Sequence, residues 1–266
     1  MLRSIKDLMT YPIEAIDGSL GKAKDLLFDD YFWTLRYLVV DTRKWLPGKK
    51  VLVSPLHLRQ PDIGLPKHSF PVELTKDQIK ACPELDEDAP VSRQYEAEFS
   101  KYYGHNTYWA GPLAYGPYSN PHYGSPTPKV EEKKNEQRHI ERIHEIEKSH
   151  LRSAYEVFGY HIDATDEEFG HVEDFIMEDT TWKFRFVVVE TKNWLPGKKF
   201  LIDTEWLEAF DWQQSNAVVR HSREEIESAP EFNPEQPINQ DYLNNLYDYY
   251  GRPHPGKKPT ISVLSI

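Results

Sequence analysis

Two short runs of this chain are apolar at nearly every position. Leu35, Tyr37, Leu38, Val39 and Val40 fill Thr34–Asp41, and Phe184, Phe186, Val187, Val188 and Val189 fill Lys183–Glu190. Alternating polarity marks a strand that is wet on one face, whereas continuous apolarity predicts a strand covered on both. The aromatic and β-branched content of the runs favours strand over helix. Upstream, Asp17-Gly18 predicts a turn and Lys22–Phe28 a strand, with Gly21 and its counterpart Gly170 expected at positive φ. Downstream, Leu46-Pro47-Gly48 reads as a turn into a strand at Val51–Val53, matched by Lys199–Ile202. Short strands are expected at Phe70–Leu74 and Ala217–Arg220. Thr75 with Gln78, and Ser222 with Glu225, have the spacing of a capping box and predict short helices that end before Pro83 and Pro230. Ser92–Tyr103 and Gln240–Tyr250 read as helices, with Tyr95, Phe99, Tyr102 and Tyr242, Leu246, Tyr249 on one face of each.

The pairing of these elements reflects a duplication. Trp45-Leu46-Pro47-Gly48-Lys49-Lys50 recurs letter for letter as Trp194-Leu195-Pro196-Gly197-Lys198-Lys199, and Leu2-Arg3-Ser4 recurs as Leu151-Arg152-Ser153. Asp25 and Asp30 match Asp174 and Asp179 at the same spacing, and Tyr102-Tyr103-Gly104 matches Tyr249-Tyr250-Gly251 after a shift of two. The chain therefore divides into repeat 1 (1–104), an intervening segment (105–148), repeat 2 (149–252) and a tail (253–266). The intervening segment joins a Gly/Pro/Tyr-rich linker to a charged stretch with a thin apolar strip, expected as a helix over Val130–His150. Ile261–Leu264 in the tail could add an edge strand. Each repeat is expected to close into a small antiparallel barrel, so the fold class is mainly β with accessory helices. A small barrel hides only one face of its core strand inside. The outer face must meet a helix, the sister repeat or a second chain, which predicts pseudo-twofold packing of the repeats and a possible homodimer.

Composition narrows the partners. The 266 residues carry 32 Lys+Arg against 43 Asp+Glu, a formal charge of −11, which opposes non-specific attraction to nucleic acid or anionic lipid. Cys82 is the only cysteine, so no intrachain disulfide forms, as suits a reducing compartment. The opening residues lack the apolar core of a signal peptide, and no run reaches the ~20 apolar residues that span a bilayer. The expectation is a cytoplasmic protein without integral membrane contact or nucleic-acid binding.

The run DGSLGKAKDLLFDDYFWTLRYLVVDTRKWLPGKKVLVSP resembles a PRC-barrel domain, and DATDEEFGHVEDFIMEDTTWKFRFVVVETKNWLPGKKFLID is similar to the same family. The resemblance covers about the first sixty residues of each repeat. It points to the bacterial stand-alone tandem subfamily and implies two PRC-type barrels. The family's namesake is the cytoplasmic part of the photosynthetic reaction centre H subunit, and another member is the C-terminal half of a ribosome-maturation factor that binds a small-subunit ribosomal protein. Both use the barrel to dock protein, so the resemblance implies a non-enzymatic docking or assembly module. Neither the H subunit's membrane anchor nor the maturation factor's N-terminal RNA-binding half is expected here, so neither specific role is expected to carry over.

No residues are assigned as catalytic, cofactor-binding or metal-binding. His144-Glu145 and His150 miss the metalloprotease spacing, and His139, His144 and His150 read as solvated positions on a charged helix. Asp163–Asp174 places Glu168 where a calcium loop needs glycine. Cys82 faces Ala229 in the duplication and reads as a small buried residue. The candidates for partner binding are positions repeated although they look exposed: Arg36, Asp41, Trp45, Lys49 and Lys50, with Arg185, Glu190, Trp194, Lys198 and Lys199. Arginine could pair with the acid, and an indole beside a tight turn could anchor a partner. A structural role is the alternative for each: an Arg–acid pair pinning strands, a tryptophan closing the barrel end. The linker from Tyr108 to Tyr123 could bind a partner or cover apolar surface. Rival functions are small-molecule or metal sensing in a cleft between the barrels and a peripheral role in photosynthetic electron-transport complexes.

Overall fold

A computed structural model describes residues 1–47, 49–61, 68–86, 90–109, 151–191 and 197–253. The expected helix over Val130–His150, the strand at Ile261–Leu264, most of the tyrosine-rich linker, and Gly48 and Trp194 lie outside these residues. The fold is mainly β with a few short helices. In repeat 1 the elements are β1 (Leu2–Ser4), α1 (Ile5–Leu8), β2 (Pro12–Ala15), β3 (Gly18–Asp29), β4 (Thr34–Asp41), β5 (Val51–Val53), β6 (Phe70–Pro71), α2 (Lys76–Lys80) and α3 (Arg93–Tyr102). Repeat 2 follows the same order with one added strand, β12, relative to the described residues of repeat 1: β7 (Leu151–Ser153), α4 (Ala154–Val157), β8 (His161–Asp163), β9 (Glu168–Glu178), β10 (Lys183–Thr191), β11 (Lys199–Asp203), β12 (Leu207–Asp211), β13 (Asn216–Val219), α5 (Arg223–Glu227) and α6 (Gln240–Tyr249). Both capping boxes form as expected at α2 and α5. A carboxylate also caps each helix: Lys76 N donates to Asp17 and Arg223 N to Asp166, at 3.0 and 2.9 Å.

The chain forms two compact units. The first comprises Met1–Phe158 and Asp174–Phe186, the second Gly159–Glu173 and Val187–Ile266. In the first unit the two repeats exchange their leading strands. β1 of repeat 1 runs antiparallel to the end of β9, Leu2 opposite Glu178 and Ser4 opposite Ile176. Reciprocally, β7 of repeat 2 runs antiparallel to the end of β3, Leu151 opposite Asp29 and Ser153 opposite Leu27. The side chains obey the same reciprocity. Lys6 N donates to Asp174 and Tyr155 N to Asp25, both at 3.1 Å, while Arg3 pairs with Asp179 and Arg152 with Asp30 at 2.9 and 2.8 Å. Burial raises the pKa of both Asp25 and Asp174, although Ser153 and Ser4 oppose the shift by hydrogen bonding to the carboxylates.

At the centre of this unit, β4 and β10 begin side by side with Thr34 opposite Lys183. Leu35 N donates to Trp182 O at 2.8 Å and Phe184 N to Trp33 O at 2.7 Å. To present these carbonyls the two tryptophans adopt left-handed φ values of 54° and 58°, a strain that the reciprocal bonds and close packing sustain. Around them Phe28, Phe175 and Phe184 form one aromatic core, with Phe28 at 4.7 Å from Phe184 and Phe175 at 5.4 Å from Phe184. Trp182 is fully buried and stacks on Phe70.

The outer face of β4 meets a helix. Tyr37 and Val39 join Leu52, Tyr95 and Phe99 in a cluster under α3. Tyr102, expected on this face, is instead 41% exposed, because the helix turns it to the rim, where its hydroxyl donates to Gln78 O. Glu96 takes the buried place, 1% exposed, with the Tyr37 hydroxyl donating to it at 3.2 Å and Arg93 at 3.5 Å. Burial pushes its carboxyl up to about 7 despite Arg93. A folded-state pKa raised from 4.5 gives stability that is complete below about pH 4 and is lost as pH rises through 7. Unfolding midpoints of the wild type should therefore fall between pH 5 and 8 relative to Glu96→Gln, with a full effect on the order of 3 kcal/mol. Parallel pH profiles for the two proteins would show that Glu96 does not titrate in this range.

The second unit places β8 antiparallel to β9, with His161 opposite His171, and parallel to β13, with Asn216 opposite His161. β2 and β6 are likewise parallel, so the expectation of purely antiparallel sheets is corrected: the strands after the two-residue shift return in the same direction as the first hairpin arm. Gly21 has φ +135°, as expected, but Gly170 does not adopt a positive φ. What both share is close approach, since an added Cβ would lie 2.0 Å from Asp41 O or 2.3 Å from Glu190 O. The rim of α6 is aromatic, with Trp206 packed on Tyr247 and Tyr250 and the hydroxyl of Tyr247 bonded to Asp203.

Candidate functional site

The repeated residues expected to act together separate in the structure. Arg36 is buried rather than exposed: its Nε lies 2.6 Å from Asp29, and its guanidinium lies 4.1 Å from the Tyr108 ring centroid. Asp41 does not pair with it. Successive strand residues face opposite sides of a sheet, and Arg36 and Asp41, an odd number apart, are separated by the pleat. Asp41 instead takes Arg43 at 2.6 Å, and the hydrogen bonds from Arg43 hold its carboxyl down at about 2. Lys49 pairs with Glu84, and the main chain of Lys50 bonds Leu85 O at 2.8 Å, so the two lysines join the strand to the segment before α3. Lys198 lies 3.2 Å from Glu231, Arg185 is half-buried on β10, and Lys199 lies 3.2 Å from Glu173 and 3.8 Å from Glu190. Cys82 is half-buried, and burial pushes its thiol pKa up, against nucleophilic character.

Two of the repeated positions, Trp45 and Asp41, meet at a cleft. A hollow of about 600 Å³ is lined by Ser19, Leu20, Gly21, Lys22, Asp41, Arg43, Lys44 and Trp45. Its floor follows from Gly21, whose missing side chain lets β3 close on the carbonyl of Asp41. The indole is fixed by Nε1 donating to Leu20 O at 2.8 Å, which leaves the ring half-exposed over the hollow. The ammonium groups of Lys76 and Lys80 lie 5.8 and 5.7 Å from the ring centroid, in cation–π range. Five cationic side chains (Lys22, Arg43, Lys44, Lys76 and Lys80) thus surround one indole, with Asp41 as the acid in the lining. In a chain of net charge −11 that is a local reversal of sign.

Trp45 and Asp41 were legible from the repetition. Lys22, Lys76 and Lys80 were not, because they come from segments far apart in sequence and meet only through β3 and the α2 cap on Asp17. The available signal was charge: Lys22 and Lys24 stand where repeat 2 has His171 and Glu173. Neither a protein-family model nor a curated protein sequence matches this chain.

Proposed function

We propose that this protein is a non-enzymatic docking or assembly module built on two PRC-type barrels, and that the Trp45 cleft receives an acidic segment of a protein partner. The observation that carries the reading is the held indole ringed by five cations in an otherwise acidic chain. Such a patch attracts a negatively charged partner over a Debye length and offers an aromatic anchor at its centre. The family resemblance of the repeats points the same way. No described helix is long and apolar enough to cross a membrane.

Quantitative affinity capture from native extract tests this. Wild type should retain one stoichiometric partner in a salt-sensitive manner. Trp45→Ala should weaken capture by about 2 kcal/mol, roughly thirty-fold. Lys22→Glu/Lys44→Glu, both exposed, should weaken it at least as much while leaving the fold intact. Equal capture by all three proteins would overturn the assignment of the cleft.

A further inference from the structure

We infer that the second unit carries a site for a first-row divalent cation, formed by His171, Glu173 and Glu190. This assignment is independent of the docking function. His171 and Glu173 lie two apart on β9 and therefore on one face, and Glu190 lies beside them on β10. One donor atom from each falls within 4.8 Å of the others. The three side chains are 19, 24 and 26% exposed, so they are partly withdrawn from solvent and sit on strands rather than on a loop. Gly170 sets this proximity: only a residue without Cβ lets β9 close on the carbonyl of Glu190 next to the cluster.

Both carboxylates lie near the Lys199 ammonium, Glu173 at 3.2 Å and Glu190 at 3.8 Å. An ordinary ion-pair network could explain the acids if the strands required it. Repeat 1 shows that they do not. It builds the same strands, with the same close glycine, from Lys22, Lys24, Asp41 and Lys50 at the corresponding positions. Two cations there replace the imidazole and one of the carboxylates. The ligand set is thus a property of repeat 2 and not of the architecture.

The donor types select the ion. One imidazole with two carboxylates suits Zn²⁺, Mn²⁺ or Fe²⁺ rather than the all-oxygen preference of Ca²⁺ or Mg²⁺. A second imidazole is at hand, since His161 lies directly across from His171 on β8, with its Nδ1 held by Glu168 at 2.9 Å. A carboxylate on one ring nitrogen is the arrangement that orients a ligating histidine through the other. Entry of the ion displaces the flexible Lys199 ammonium to solvent, and the donors draw in to the separation set by bonds of about 2.0–2.2 Å.

The test is calorimetric titration of the full, chelator-treated chain with Zn²⁺, with circular dichroism on every variant. Wild type should bind one equivalent, and His171→Ala and Glu173→Gln/Glu190→Gln should each weaken binding by about a hundred-fold without loss of fold. Lys199→Met separates the two explanations, because removing the competing ammonium tightens a true cation site. Absence of stoichiometric Zn²⁺ binding by both wild type and Lys199→Met would overturn the inference. So would binding that persists undiminished in His171→Ala and Glu173→Gln/Glu190→Gln, which would place the ion on other histidines of the chain.

Discussion

Replacing Arg36 by methionine is expected to cost about 3–5 kcal/mol of stability, read as a lower midpoint in chemical denaturation. The side chain is 3% exposed and its partner Asp29 is wholly buried. Asp29 also accepts a hydrogen bond from Phe32 N at 2.6 Å, so its carboxylate organises the turn that leads into β4. Burial raises the pKa of Asp29, and Arg36 is the largest opposing influence, with the Phe32 amide beside it. Without the guanidinium the carboxylate must be stripped of water with no counter-ion or take up a proton. The sign of the pH effect follows. A further raised folded-state pKa makes the variant's deficit smallest below the ordinary aspartate range and largest as pH rises through the raised value. Asp29→Asn/Arg36→Met should recover part of the loss, because no buried charge is left alone. A loss under 1 kcal/mol in the single variant, flat with pH, would mean that the pair contributes little to the fold.

Cutting the chain between the repeats should leave the protein whole. A protease site introduced within residues 115–128, a stretch that reads as linker, would give two fragments, each carrying one repeat. The fragments are expected to co-elute at the volume of the intact protein and to part only in denaturant. The reason lies in the first unit, where β1 is bonded to β9 and β7 to β3, so each fragment holds a strand that the other needs. Large side chains such as Phe28, Phe175, Phe184 and Trp182 are fully buried there. Each contributes roughly 1.5–3 kcal/mol that separation would forfeit. Exposed strand edges and bare aromatics would make each fragment prone to aggregate alone. Fragments that elute apart as stable monomers would contradict the exchange.

The duplication, the strands at Thr34–Asp41 and Lys183–Glu190, and the two capping boxes were all legible in the sequence, the second strand running one residue further to Thr191. Each depends on contacts within a few residues: β-branched packing, a hydroxyl reaching an amide three positions on, a proline that stops a helix. The need to cover both faces of β4 was equally legible, since continuous apolarity states it directly. What covers the outer face was decided in three dimensions, by α3 with Glu96 buried among its aromatics. The exchange of β1 and β7 also could not be read locally. Leu2-Arg3-Ser4 and Leu151-Arg152-Ser153 are the same three residues, and Asp25 and Asp174 are equivalent acceptors, so local chemistry is identical for pairing within a repeat and between repeats. Only the reach of the folded chain breaks that tie. The same holds for Arg36, whose charge suggested exposure until Asp29 and Tyr108 were found around it. The sign reversal between Lys22, Lys24 and His171, Glu173 was written in the sequence throughout. That His171 and Glu173 gather with Glu190 and Lys199, and Lys22 with Trp45, depends on strand register, which a duplicated pattern specifies twice and tertiary packing resolves once.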